Sequence, residues 1–245
     1  VLKKSDTSVS VSGGQINFSI GDNNSVKISN EISVPNPVIW TPETPELYIV
    51  RTIISGPDGK VIDELNSETG FTNLSVKNNQ IFQSGKQFRL NGINYYEDQP
   101  KFASALDFTL TENDLKNIKT LGFNAIRVPG KSSHPYIVNL CNRLGLYLLQ
   151  EIPFNELSDH YLDDEKYIRL NLNLLAEVLE RDNNAPCILA WGIGNDFDVS
   201  KTSSLNYVRS AKTLIDSVSG RFKFYTTRIF TEDICSEEVD FVGLN

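Results

Sequence analysis

The chain has 245 residues, enough for one large domain or two of ordinary size. Its 40% hydrophobic and 22% charged content fits a globular protein. The net charge of −8 argues against nucleic acid or an anionic membrane surface as partner, and no run of about 18 apolar residues offers a membrane span. Cys141, Cys187 and Cys235 lie far apart without metal-ligand spacing. Cys141 and Cys187 sit inside apolar segments, so they are expected as buried thiols rather than as a disulfide. No metal or cofactor is expected.

Residues 1–75 read as strands. Val9–Val11, Ile16–Ile20 and Val26–Ile28 alternate apolar and polar positions, the mark of a half-buried strand. Ser12-Gly-Gly14 and Asp22-Asn-Asn24 supply turns between them. Leu47–Ile54 is a longer strand, and Gly56-Pro-Asp-Gly59 turns it back into Val61–Leu65, with Pro fixing φ and Gly allowing φ > 0. Short strands with regular turn signals predict a β-sandwich. Seventy-five residues fall short of the roughly 100 such a sandwich uses, so a truncated N-terminus is expected.

From residue 76 the pattern changes. Phe82–Asn94 reads as a hairpin leading into a strand. Thr111-Glu-Asn-Asp114 has the form of a capping box opening a helix that carries Leu115, Ile118 and Leu121 and ends at Gly122. Strand Asn124–Val128, helix Pro135–Leu144, strand Leu146–Ile152 and helix Ile168–Arg181 follow. The apolar strand Ile188–Ile193 then leads to a helix from about Ser204 to Gly220. Phe222–Ile229 and Val239–Leu244 are two more strands, with a turn at Ser236–Glu238 between them. Strand and helix alternating over short loops is the pattern of a parallel α/β fold. Six strands fall short of the eight of a closed barrel. They would also suit a doubly wound sheet, but no Gly-rich turn follows the first strand.

The strand ending in Asn195-Asp196 organises this half of the chain. A short apolar run delivering an amide and a carboxyl is what a barrel strand looks like when it carries site residues to the barrel mouth. Cys187-Ile-Leu-Ala-Trp-Gly-Ile-Gly-Asn-Asp196 resembles the Trp-x-x-Gly-Asn-Glu strand of glycoside hydrolase family 2, the β-galactosidase and β-glucuronidase family. Trp40-Thr-Pro-Glu-Thr-Pro-Glu-Leu-Tyr48 and Gly70-Phe71 are similar to segments of that family's immunoglobulin-like domain, with Thr72 where the family has Arg. Asn91–Asp98, Gly122–Arg127 and Leu148–Glu151 are similar to its first three barrel strands. The resemblance implies an immunoglobulin-like β-sandwich over residues 1–75, then a (β/α)8 TIM-type barrel over 76–245 that stops after its sixth strand.

The same resemblance implies a retaining two-carboxylate hydrolysis of β-glycosides. Asp196 takes the acid/base position, where the family has Glu; Asn195, Arg127, Glu151, Tyr96, Glu97 and Asp98 take substrate-binding positions. Tyr96 stands where the family has His and serves equally as a packing aromatic, and Glu151 is equally explained by an ion pair with Arg127. Gly130 stands where a second family His belongs; His134, directly before Pro135, is expected as a loop residue. The family nucleophile, a Glu ending the seventh strand, has no counterpart in this chain. A carbohydrate is therefore the expected partner, with a non-catalytic pseudo-glycosidase acting as a carbohydrate- or protein-binding module as the alternative to an enzyme. Uncovered sheet edges imply possible self-association, and a periplasmic or extracellular location is the family-based expectation.

Overall fold

The computed structural model describes residues 1–105, 107–155, 159–229 and 231–245. Near the N-terminus, β1 (Leu2–Lys3), β2 (Asp6–Ser10), β3 (Tyr48–Ser55) and β4 (Val61–Thr69) form one antiparallel sheet in the order β2-β1-β3-β4. The long β3–β4 hairpin turns at Gly59, whose φ of +78° suits glycine. The strands expected at Ile16–Ile20 and Val26–Ile28 do not form, and the one expected at Val9–Val11 is displaced to Asp6–Ser10. Ile16, Phe18, Ile20, Val26 and Ile28 are exposed, with no neighbouring strand among the described residues. Alternation makes one apolar face but gives no stability until that face is covered.

The N-terminal unit is fixed to the rest of the chain through Trp40, which is wholly buried. Its indole Nε1 donates to the Asn142 carbonyl at 2.8 Å, and its own carbonyl accepts from Gln83 Nε2 at 2.8 Å. A small antiparallel meander follows: β5 (Leu74–Lys77), β6 (Gln80–Gln83) and β7 (Lys86–Gln87).

The remaining strands build one parallel sheet in sequential order. β8 (Gly92–Asn94) is followed by α1 (Phe108–Thr120), β9 (Ala125–Arg127) by α2 (Pro135–Leu144), and β10 (Tyr147–Glu151) by the short α3 (Asp159–Leu162) and α4 (Glu165–Asp182). β11 (Ile188–Asn195) leads to α5 (Thr202–Val218), then β12 (Phe222–Thr227), a 3-10 turn at Ser236–Glu238, and β13 (Phe241–Leu244). The six strands curl through 222°, so they form an open part of a barrel with β8 and β13 at its edges. Helices cover the outer face, which is why β10 and β11 are buried at every position.

Helix ends follow their capping chemistry. α1 starts earlier than expected: Asp107 is its N-cap, accepting from the Leu110 N–H at 3.0 Å, and Thr111 lies within its first turn. A cap four residues upstream of the apparent box satisfies the same orphan donors. α2 begins at Pro135 behind the cap His134 and ends on Gly145 in the left-handed conformation. All three cysteines are buried free thiols.

Candidate active site

The C-terminal ends of β9 to β13 bring one polar network together. Arg127 ends β9, and its Nε donates to Glu151 Oε1, at the end of β10, at 2.5 Å. The other Glu151 oxygen accepts the Gly130 N–H at 2.6 Å. The Glu151 side chain is 0% exposed, and burial pushes its carboxyl above the ordinary carboxylate range against the opposing pull of Arg127. One glycine bonds it and another makes room for it. Gly130 turns with φ +67°, and a Cβ on Gly192 would lie 2.4 Å from Glu151 Cγ.

The rest of the Arg127 guanidinium reaches across the sheet. Nη2 donates to Asn195 Oδ1 at 3.2 Å and to Thr226 Oγ1 at 2.9 Å, and Nη1 to Asn245 Oδ1 at 3.4 Å. The Thr226 hydroxyl donates onward to Asn195 Oδ1, which also accepts from Asn245 Nδ2 at 2.8 Å. Asn195 Nδ2 donates to Asn155 Oδ1 at 2.7 Å. With acceptor and donor ends both engaged, the Asn195 amide has one orientation.

Asp196 sits one residue beyond β11 with φ +52°, a left-handed backbone that Asp tolerates better than most residues. Its N–H donates to the Thr226 carbonyl at 2.8 Å. Oδ1 accepts from Asn245 Nδ2 at 2.9 Å, and Oδ2 lies 2.9 Å from Arg228 Nη2. The carboxylate is thus held in place from two sides.

Of the residues singled out in the sequence, Arg127, Glu151, Asn195 and Asp196 meet in this network. Tyr96, Glu97 and Asp98 lie on the loop after β8, which is tied to β9 by the Tyr95 N–H donating to the Arg127 carbonyl at 2.8 Å. Glu97 is buried, 3.0 Å from Lys131 Nζ, and accepts the His134 N–H at 3.3 Å. Tyr96 is 65% exposed and Asp98 is exposed, so neither is packed into the core. His134 is a capping residue, its Nδ1 accepting from the Tyr136 N–H at 3.1 Å.

Thr226, Asn155, Asn245 and Arg228 belong to the network without having been singled out for it. Asn245 directly follows the apolar strand β13, a signal of the kind that marks Asn195, whereas Thr226 is the next-to-last residue of β12 and carries no such mark. Asn155 and Arg228 lie in loops, where only the folded sheet shows their direction. Among the described residues no group of three or more His, Cys, Asp or Glu is arranged to hold a metal ion, and no helix is long and apolar enough to cross a membrane.

Comparison with known proteins bears on this arrangement. The family model for the TIM barrel domain of glycosyl hydrolases family 2 matches residues 74–219, and a second family 2 model matches residues 2–71. A β-galactosidase 2 of Enterobacter cloacae is 28% identical over 178 residues, covering 69% of this chain and 17% of that protein. The chain therefore spans about a sixth of that relative's length. A family 2 β-galacturonidase from Eisenbergiella tayi, solved with bound galacturonate, superposes with a TM-score of 0.82 at 26% identity, covering 89% of this chain and 39% of the other. A family 2 member from Bacteroides cellulosilyticus shares the fold with a TM-score of 0.86 at 21% identity, covering 100% of this chain and 33% of the other.

Proposed function

Since the chain belongs to glycosyl hydrolases family 2, we propose that it carries the acid/base and sugar-orienting part of a retaining β-glycosidase site within a longer protein. The observation that carries this reading is Asn195 beside Asp196 at the mouth end of β11, both held in the network of Arg127, Thr226 and Asn245. In this reading Asp196 protonates the glycosidic oxygen and later activates water, while the oriented Asn195 amide meets a sugar hydroxyl. The partner carboxylate of a retaining enzyme stands about 5–5.5 Å from the acid. Glu151 does not suit that role, because it is buried with both oxygens already bound. The nucleophile is therefore assigned to the part of the longer protein outside this chain.

Asp196 is one methylene shorter than Glu, about 1.5 Å by a C–C bond length. A misplacement of about 1 Å at a reacting group can cost about 100-fold, so a slow enzyme is expected. The test is turnover of a panel of aryl β-glycosides by the full-length protein and its Asp196→Ala and Asp196→Glu variants. Asp196→Ala should lower kcat by about 10²–10⁴-fold on poor leaving groups. On activated aryl groups, which need no acid, the first step should survive while attack by water, left without its base, becomes slow, and added azide should restore turnover there. A gain with Glu would show that reach limits the natural residue.

A second reading, a carbohydrate-binding module without catalysis, is favoured by the double engagement of Asp196 with Arg228 and Asn245. No turnover by any of the three proteins would remove the first reading and leave this one, to be tested by calorimetry with the same glycosides. Either role suits a periplasmic or extracellular protein, a proposal that cell fractionation checks.

A further inference from the structure

The opposite end of the barrel holds a half-buried cation with few partners. Arg221 directly precedes β12, at the N-terminal ends of the strands and away from Asp196. Its Nη1 donates to Thr72 Oγ1, and it forms no ion pair with a carboxylate among the described residues. A guanidinium carries five N–H donors, so most of this one is left over for something else. Burial pushes its affinity for the proton below the ordinary arginine value. Tyr147, the first residue of β10, lies within the field of Arg221; its hydroxyl is wholly buried and has no hydrogen-bond partner. Two under-satisfied polar groups in one region call for an explanation.

Arg221 faces a cleft of about 550 Å³ between the N-terminal unit and the barrel. Thr72 and Asn73 line it from the linker, Asn183 and Ser219 from the ends of α4 and α5, and Phe71 supplies an apolar wall. The volume lies in the range of small-molecule sites, well above what a lone ion fills.

We propose that this cleft binds a small carboxylate-bearing molecule, whose carboxylate pairs with Arg221 and whose body lies between the linker and the barrel. A planar guanidinium matches a carboxylate in two parallel hydrogen bonds. Among the described residues no second Lys or Arg lines the cleft, so a monoanion fits better than a phosphate dianion. The amides and hydroxyls of Asn73, Asn183, Thr72 and Ser219 suit a polar, hydroxylated body. The site is independent of the glycosidase reading, because it uses the other end of the strands and neither Asn195 nor Asp196. Ligand bound there touches both units and stabilises the folded chain by mass action.

The test is thermal unfolding of the full-length protein in sodium acetate and sodium lactate, against sodium chloride at equal ionic strength. The wild type should show a saturable rise in Tm, and Arg221→Gln should weaken the response at least tenfold. Asn73→Asp keeps side-chain shape while placing a carboxylate in the cleft. It should raise Tm in chloride alone and weaken the acetate response at least tenfold. An equal response from wild type and Arg221→Gln would overturn the proposal, as would no response from the wild type. Should Arg221→Gln fail to fold, an undiminished acetate response in Asn73→Asp overturns it instead. Phosphate acting at lower concentration than acetate overturns the carboxylate assignment.

Discussion

At the C-terminal ends of the strands Arg127 has Glu151 at 2.5 Å and Asp196 has Arg228 at 2.9 Å, whereas at the N-terminal ends the Arg221 guanidinium donates, among the described residues, only to the Thr72 hydroxyl. Both ends bring cationic side chains into a polar enclosure, but they compensate them differently. The mouth supplies its counter-charges from its own strands, and each amide and hydroxyl there is fixed by another. Such a network is rigid before anything binds, which is what orienting a sugar requires. The lower cleft has no carboxylate against Arg221 among the described residues, which is why the proposal above supplies one from a ligand. On the two proposals made above, the contrast separates a site that positions neutral hydroxyls from one that receives an anion.

The largest expected effect comes from removing the compensation at the mouth. Arg127→Leu leaves the Glu151 carboxyl buried without its partner, and breaking a buried pair in this way costs about 3–5 kcal/mol near neutral pH. The cost depends on pH with a definite sign. Burial already raises the folded-state pKa of Glu151, and loss of Arg127 raises it further. A carboxyl raised in the folded state contributes stability that is fully present below its unfolded value of about 4.3. That stability is lost as pH rises through the folded value. Urea unfolding should therefore show a small penalty at about pH 4 that grows toward neutrality. A penalty independent of pH would mean that the pair does not govern the mouth.

A smaller effect is expected at Gly192. An added Cβ would lie 2.4 Å from Glu151 Cγ and 2.8 Å from Phe224 Cζ, and both side chains are buried. Overpacking of this kind costs about 1–3 kcal/mol. On the glycosidase reading, Gly192→Ala should also lower kcat of the full-length protein by displacing Glu151 from Arg127. A variant as stable and as active as the wild type would show that the mouth is looser than its hydrogen bonds imply.

Much of the barrel was legible in the sequence because parallel strands covered on both faces read as continuous apolar runs. Ile188–Asn195 is buried at every position, and helices α2, α4 and α5 lie within a few residues of where their apolar spacing puts them. The N-terminal unit was less legible. Alternation at Ile16–Ile20 records an apolar face, but nothing local records whether another layer will cover it. In the site, Arg127, Glu151, Asn195 and Asp196 could be picked out because each ends or follows a strand in a recognisable motif. Thr226 could not, since its place beside Asn195 depends on the cross-strand register Asn195↔Thr226 after an irregularity in β11. The left-handed backbone of Asp196 and the reach of Arg228 are likewise products of the curled sheet rather than of any neighbouring residue.

The smallest effect is expected at His134, a mouth-side residue whose structural role is a helix cap. Its Nδ1 accepts the Tyr136 N–H, and its own N–H reaches Glu97. His134→Ala removes the first bond and keeps the second, because a backbone donor survives any substitution but proline. Losing a side-chain cap costs about 0.5–2 kcal/mol, and His134→Asn should restore most of it, since Asn caps well. Neither variant should change kcat by more than about twofold, an expectation that follows from a role confined to capping. A large loss of kcat in both variants, with stability held by Asn, would move His134 into the substrate-binding machinery. The loop carrying Glu97 and Lys131 would then belong to the same site as Asp196.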